Sequence, residues 1–251
     1  MAFDFLQAAG VGTDTIDKSV LGPPFISIIQ KGSPEFDETH RQFANKRIEG
    51  CRPGQLVFEP TRDILPTPLV VIPIHQVASY TEWKPNKGGF AGNHDLEITA
   101  HRNYRRGIKG TPTEYREYLG QNELVYTITF SLLFAHKGEW NKGLIAFTSK
   151  QLKMARQWSK SLLGVKVEGM PEDYKAPIFT SKWELSTFPD SNEKGGWFAW
   201  QISKGANLNV ETDQVILETA FTESKAAAVA ALPKPQPTAA LQDTVTPVDA
   251  Y

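Results

Sequence analysis

Apolar and polar residues alternate with period two over long stretches of this chain. Leu124, Tyr126, Ile128, Phe130, Leu132 and Phe134 interleave with Val125, Thr127, Thr129 and Ser131, which predicts one long strand with a single apolar face. Residues 69–74 (LVVIPI) are apolar on both sides and predict a strand covered on both faces. Pro73 cannot donate to a ladder, so it places a sheet edge or a bulge there. This strand extends through SYTEW to Trp83, and the chain then turns on Pro85 and the Gly88-Gly89 pair. Further strands are expected at residues 25–29, from Gln55 onward, and at 140–148 after a turn at Lys137-Gly138. Two more fall at 178–188 and 197–202, joined around PDSNEKGG. The tetrapeptide Gly92-Asn93-His94-Asp95 reads as a polar turn leading into a strand at 96–99.

The period changes most prominently in SKQLKMARQWSKSLLG. Ser149 reads as a helix N-cap and Gly164 as the stop. Leu152, Ala155 and Leu162 share the apolar face with Met154 and Trp158 at its flank, while Lys150, Lys153, Gln157 and Lys160 form a basic, polar stripe. Residues 37–46 fit a short helix, and 213–231 are helix-prone. The fold class is mainly β: an OB-like small barrel with one prominent helix between strand sets. Five strands with a helix between the third and fourth fit that barrel, although pattern alone does not separate it from other β-rich barrels. The expected organisation is an N-terminal arm (1–50), a barrel domain (51–208), a C-terminal helix (209–232) and a Pro/Ala-rich tail (233–251). The tail has almost nothing to bury and cannot offset its own ordering entropy, so it is expected to be flexible.

Composition narrows the function classes. The 251 residues are 40% hydrophobic and 22% charged, ordinary for a soluble globular protein. The net charge of −1 means that any nucleic-acid contact must come from a local patch. The single cysteine, Cys51, excludes a disulfide framework and a Cys-based zinc site. No apolar run approaches the ~20 residues of a membrane span, and MAFDFLQAAG lacks the basic start of a signal peptide. A cytoplasmic protein with no membrane contact is expected.

Single-stranded nucleic acid is held by flat rings that stack on bases and by cations that follow the phosphates. Tyr80 and Trp83 lie near Lys84 and Lys87, and HRNYRRGIK adds Arg102, Tyr104, Arg105 and Arg106. In the last hairpin Phe198, Trp200 and Ile202 make the better core face, which leaves Trp197 toward solvent. These nine residues form the candidate nucleic-acid-binding set. Plain core packing of the tryptophans and a solvated Arg/Tyr loop remain open beside it. The GNHD tetrapeptide resembles the GNH[DE] box of metallophosphoesterases, which would use His94 and Asp95. No DxH precedes it, no GDxxD follows, and His75, His101 and His136 are scattered. Phosphate-loop, dinucleotide and nucleophile-elbow motifs are absent. No enzyme activity, metal or cofactor is expected.

The stretches FISIIQKGSPEF, IEGCRPGQLVF, VVIPIHQVASYTEWKPNKGGFAGNHD, GLIAFTSKQLKMARQWSKSLL and PIFTSKWELSTFPDSNEKGGWFAWQI carry a resemblance. As a set they resemble early proteins of tailed bacteriophages taken to be single-stranded DNA-binding proteins of OB-fold type. The resemblance implies binding of displaced or replicating single strands in the host cytoplasm, without catalysis. It also implies a tail, here with Asp243, Asp249 and Tyr251, that contacts replication or recombination proteins. Tails of such proteins are usually strongly acidic, and this one carries only two aspartates. Tail-mediated recruitment is expected to be correspondingly weaker. The alternatives are a metal-dependent phage nuclease or phosphoesterase, and a structural or host-interaction protein.

Overall fold

A computed structural model describes residues 24–230, except residues 168, 169, 172 and 194 and the side chains of Lys87, Val229 and Ala230. Two long strands form its spine: β4 (Leu69–Trp83) and β8 (Asn122–His136), each of 15 residues and antiparallel to one another. The strands before them are short: β1 (Ile26–Ile28), β2 (Leu56–Phe58) and β3 (Asp63–Leu65), with helix α1 (Phe43–Lys46) between the first two. Between β4 and β8 come β5 (Phe90–His94), β6 (Tyr104–Arg106) and β7 (Glu117–Leu119). After the spine follow β9 (Glu139–Thr148), α2 (Leu152–Leu163), β10 (Ser181–Asn192), β11 (Gly195–Asn207) and α3 (Gln214–Ala230).

At one end the spine is flanked by β10–β11 on the β4 side and by β9 on the β8 side. The resulting order β11-β10-β4-β8-β9 curls into a half-barrel with α2 between β9 and β10 in the chain. At the other end β5 joins β4 while β7 and then β6 join β8, making an extension beyond the barrel. The protein is mainly β, with one central helix and a C-terminal helix, in agreement with the sequence pattern.

The period-two face of β8 points into the half-barrel, where Phe130, Leu132 and Phe134 are fully buried. The expected irregularity at Pro73 is present: the β4–β8 register skips a residue between Pro73 and His75. Ile72, Ile74 and Leu133 lie under α3 with Leu208 and Ala220, so residues 69–74 are covered on both faces. Lys137 and Gly138 both adopt positive φ (53° and 83°), the geometry of a tight hairpin turn between β8 and β9. α3 is held down by a Lys182–Asp213 ion pair (3.0 Å), by Lys142–Glu223, and by Phe221 edge-on to Phe179.

The structure revises three local expectations. Trp158 is not a flanking residue of α2 but, with Ala155 and Leu162, its buried face. The indole stacks on Phe130 at 4.3 Å and meets Trp183 edge-on at 6.0 Å, because the concave sheet leaves room for a large ring. Ser149 is not the N-cap: it sits at φ 50° inside a 3-10 turn, and α2 begins at Leu152 without a side-chain cap. The expected turn at 92–95 leading into a strand at 96–99 is reversed: Gly92, Asn93 and His94 belong to strand β5, paired with β4, and residues 96–99 are part of a 3-10 helix, Leu96–Ala100. The Asp95 carboxylate accepts from the Glu97 N–H (2.9 Å) and favours that turn, and Leu96 is exposed and gains nothing from pairing.

No ladder joins β9 to β11 among the described residues. The described part of the expected N-terminal arm fills that seam. Leu144 N–H donates to Pro24 O (2.8 Å), and Phe25 bridges Leu144. On the far side the Gln30 side-chain amide exchanges two hydrogen bonds with the Phe198 backbone (2.9 and 2.8 Å), standing in for a strand residue. Ile26, Ile28, Leu56 and Leu65 of the small β1-β2-β3 sheet join the main core.

Candidate nucleic-acid interface

Residues opposite one another in antiparallel strands share a face. Across the extension, Phe90 faces Trp83, Trp83 faces Glu123, Glu123 faces Tyr118, and Tyr118 faces Arg105. This row lies on the convex side, opposite the face that continues into the core. Trp83 is 42% and Phe90 55% exposed, with ring centroids 6.2 Å apart and planes nearly perpendicular. The Arg105 guanidinium sits 4.2 Å from the Tyr118 ring centre, and its Nε donates to Gly120 O. Glu123, the anion in the row, pairs with Arg116 at 3.5 Å. Lys84 is exposed beside Trp83, and its backbone N–H bonds Gly89 O to close the following turn.

The other face of the extension is a polar underside. Tyr80 is buried there, edge-on to Tyr126 at 5.6 Å. The Tyr104 hydroxyl donates to Glu117 (2.7 Å) and accepts from Arg106 Nε (3.2 Å). Burial, reinforced by Glu117, holds the Tyr80 and Tyr104 hydroxyls above their ordinary pKa. Glu82 is buried and accepts from Asn122 Nδ2 (2.6 Å), with His94 Nε2 at 2.7 Å. Burial raises its pKa, but those two bonds outweigh burial and leave it below the ordinary carboxylate value.

The nine sequence candidates therefore divide. Trp83 and Arg105 share the convex row, with Lys84 next to it. Tyr80, Tyr104 and Arg106 lie on the underside, and Arg102 is exposed ahead of β6. The side chain of Lys87 and the tail residues Asp243, Asp249 and Tyr251 lie outside the described residues. Trp197 is on the β10–β11 hairpin and not in the convex row, since β10 meets β4 only at residues 69–71 and Trp197 pairs with Asp190 beyond that contact.

Trp197 lies across from the core-facing Trp200 and Phe198, as the alternation places it. It is half-buried, with the Lys150 ammonium 4.4 Å from its ring centre. Beside it runs a groove of about 260 Å³ bounded by Lys150, Lys153, Met154, Gln157, Phe188 and Trp197. Phe90 and Tyr118 are not among the sequence candidates for binding, and Lys150 reads from sequence only as part of the helix's basic stripe, because their roles arise from strand register and helix docking. His94 and Asp95 are engaged locally by Glu82 and the Glu97 backbone. Among the described residues no three His, Cys, Asp or Glu side chains are grouped to hold a metal ion, and no helix is long and apolar enough to cross a membrane.

Residues 2–226 match the family described as Pam3 phage gp34-like protein. The chain belongs to this family. It is thus a bacteriophage-type protein, and the match spans the whole spine, both ends of the sheet and most of α3. No curated protein and no solved structure matches the chain.

Proposed function

We propose that this phage protein binds single-stranded DNA without catalysis, in replication or recombination. The observation that carries the reading is the convex row of the extension, where the exposed rings of Trp83 and Phe90 share a face with the Tyr118–Arg105 pair. Stacking a base on such a ring contributes about 1–3 kcal/mol and tolerates any sequence. Bases paired in a duplex present no free face to it. The strand order, with α2 between the third and fourth long strands, supports the OB-type reading. In such barrels the loop between the first two strands takes part in ligand binding. Here that connection, residues 84–121, is elaborated into the extension. Tyr80, Tyr104 and Arg106 act from below by fixing the row. Partner proteins of replication or recombination would be met by the tail, and the host-cell cytoplasm is the matching site of action.

Titration of the full chain with oligo-dT tests the reading. Tryptophan fluorescence is expected to be quenched, with affinity falling steeply as salt rises. Absence of both quenching and a gel shift at low ionic strength would refute it.

A further inference from the structure

We propose that the groove between α2 and the β10–β11 hairpin is a second nucleotide site, separate from the extension. It takes one base against Trp197 and Phe188 and the adjoining phosphate on Lys150 and Lys153. The proposal rests on the single-stranded DNA reading and gives it a second station on the β10–β11 hairpin.

Shape is the first argument. The groove of about 260 Å³ adjoins a smaller one of about 150 Å³ along the seam, and both are bordered by Gln151 and Trp200. The floor is aromatic and thioether surface from Trp197, Phe188 and Met154, which suits a flat, weakly polar ring. Gln157 stands at the border with an amide able to meet a base edge.

Charge is the second. Lys150 and Lys153 are exposed on the helix side, and the first turn of α2 holds no acidic residue. Asp190 is the one carboxylate on the lining, and its Oδ1 already accepts from the Ser191 N–H (2.8 Å). The site is therefore complementary to an anion carrying a flat ring. A nucleotide unit has both parts, whereas an acidic peptide lacks the ring at each charge.

The third argument is the resting position of Lys150. Its ammonium lies on the Trp197 face, where a base would stack. Ser149 at φ 50°, a conformation uncommon for serine, turns the chain just before it. An entering base displaces the ammonium from the ring, and the flexible lysine stem lets it follow to the phosphate. The cation thus covers the ring when the groove is empty and neutralises the backbone when it is full.

The test uses the full chain with (dT)4 and an abasic tetramer of the same charge. In Trp83→Ala, (dT)4 is expected still to quench tryptophan fluorescence, and adding Trp197→Ala to that variant is expected to remove the signal. Trp197→Phe keeps a stacking face and should retain binding followed by gel shift. Lys153→Ala, a surface change, should weaken (dT)4 several-fold, and the abasic tetramer should bind about five- to a hundredfold more weakly than (dT)4. If Trp83→Ala no longer responds to (dT)4 while the unaltered protein does, the second site is overturned and the extension reading stands. Equal affinity for the abasic tetramer also overturns it, because charge alone would then explain binding. If the unaltered protein ignores both (dT)4 and long oligo-dT, the underlying reading falls with it.

Discussion

The two ends of the β4–β8 spine are built from the same two strands yet treat their aromatic residues in opposite ways. In the half-barrel α2 closes over the concave sheet, and Trp158, Trp183 and Trp200 are 2–3% exposed. In the extension no long helix among the described residues covers the sheet, and Trp83 keeps 42% of its surface open. The concave face also changes character, from phenylalanine and leucine in the barrel to Glu82, Glu117, Tyr80 and Tyr104 beyond it. What lies over a sheet, rather than residue type, decides whether a tryptophan holds the fold together or remains free for a ligand. The closed interior of the barrel is where stability should reside, and the open row of the extension is where the main binding surface should.

The largest expected effect breaks the barrel side. Trp158→Ala removes the ring stacked on Phe130 and should cost about 3–5 kcal/mol of stability, read by chemical denaturation. Next, Trp83→Ala should leave the melting temperature nearly unchanged but reduce oligo-dT affinity by about 1–3 kcal/mol. If instead Trp83→Ala unfolds the protein, the contrast between the two ends is false. Arg105→Ala should weaken binding less, by about 0.5–2 kcal/mol, and lower the slope of log affinity against log salt by about one. Arg106, on the underside with Tyr104 and Glu117, should leave that slope unchanged when substituted by Lys.

The smallest effects concern pH. Asn122 and His94 hold Glu82 below its ordinary pKa against the opposing effect of burial, so its contribution to stability is complete above the unfolded-state value. That contribution is lost as pH falls through the folded-state value, and Glu82→Gln should flatten this acid limb in a denaturation series. Burial lowers the pKa of His75 in the spine. Stability is therefore unaffected by His75 above the ordinary imidazole range and declines as pH drops from there through the lowered value. His75→Gln should remove that shallow decline.

Much of this architecture was legible in the sequence because period two needs no tertiary information. The spine strands, the Pro73 bulge, the Lys137-Gly138 turn and the core side of Trp200 all follow from alternation and from the limits of proline and glycine. The same alternation implies that Arg105 and Arg106 point to opposite faces. Other features depend on contacts between distant segments. Trp158 lies at the centre because a concave sheet opposes α2, which a helical wheel does not register. The 3-10 helix at 96–100 follows from the Asp95 cap overriding the strand preference of Ile98 and Thr99. Trp83 meets Phe90 only because the β4–β5 ladder shifts register between Glu82 and Trp83. The Lys150–Trp197 contact joins a helix and a strand that nothing in either segment alone connects.

The Gln30 amide carries a consequence for biosynthesis. A ribosome delivers Gln30 long before Phe198, 168 positions downstream. Throughout that interval the early segment has no counterpart on β11, and the nascent sheet keeps an open margin where other chains could pair. Closure joins segments 168 positions apart, so it should govern how fast the newborn protein becomes safe from aggregation.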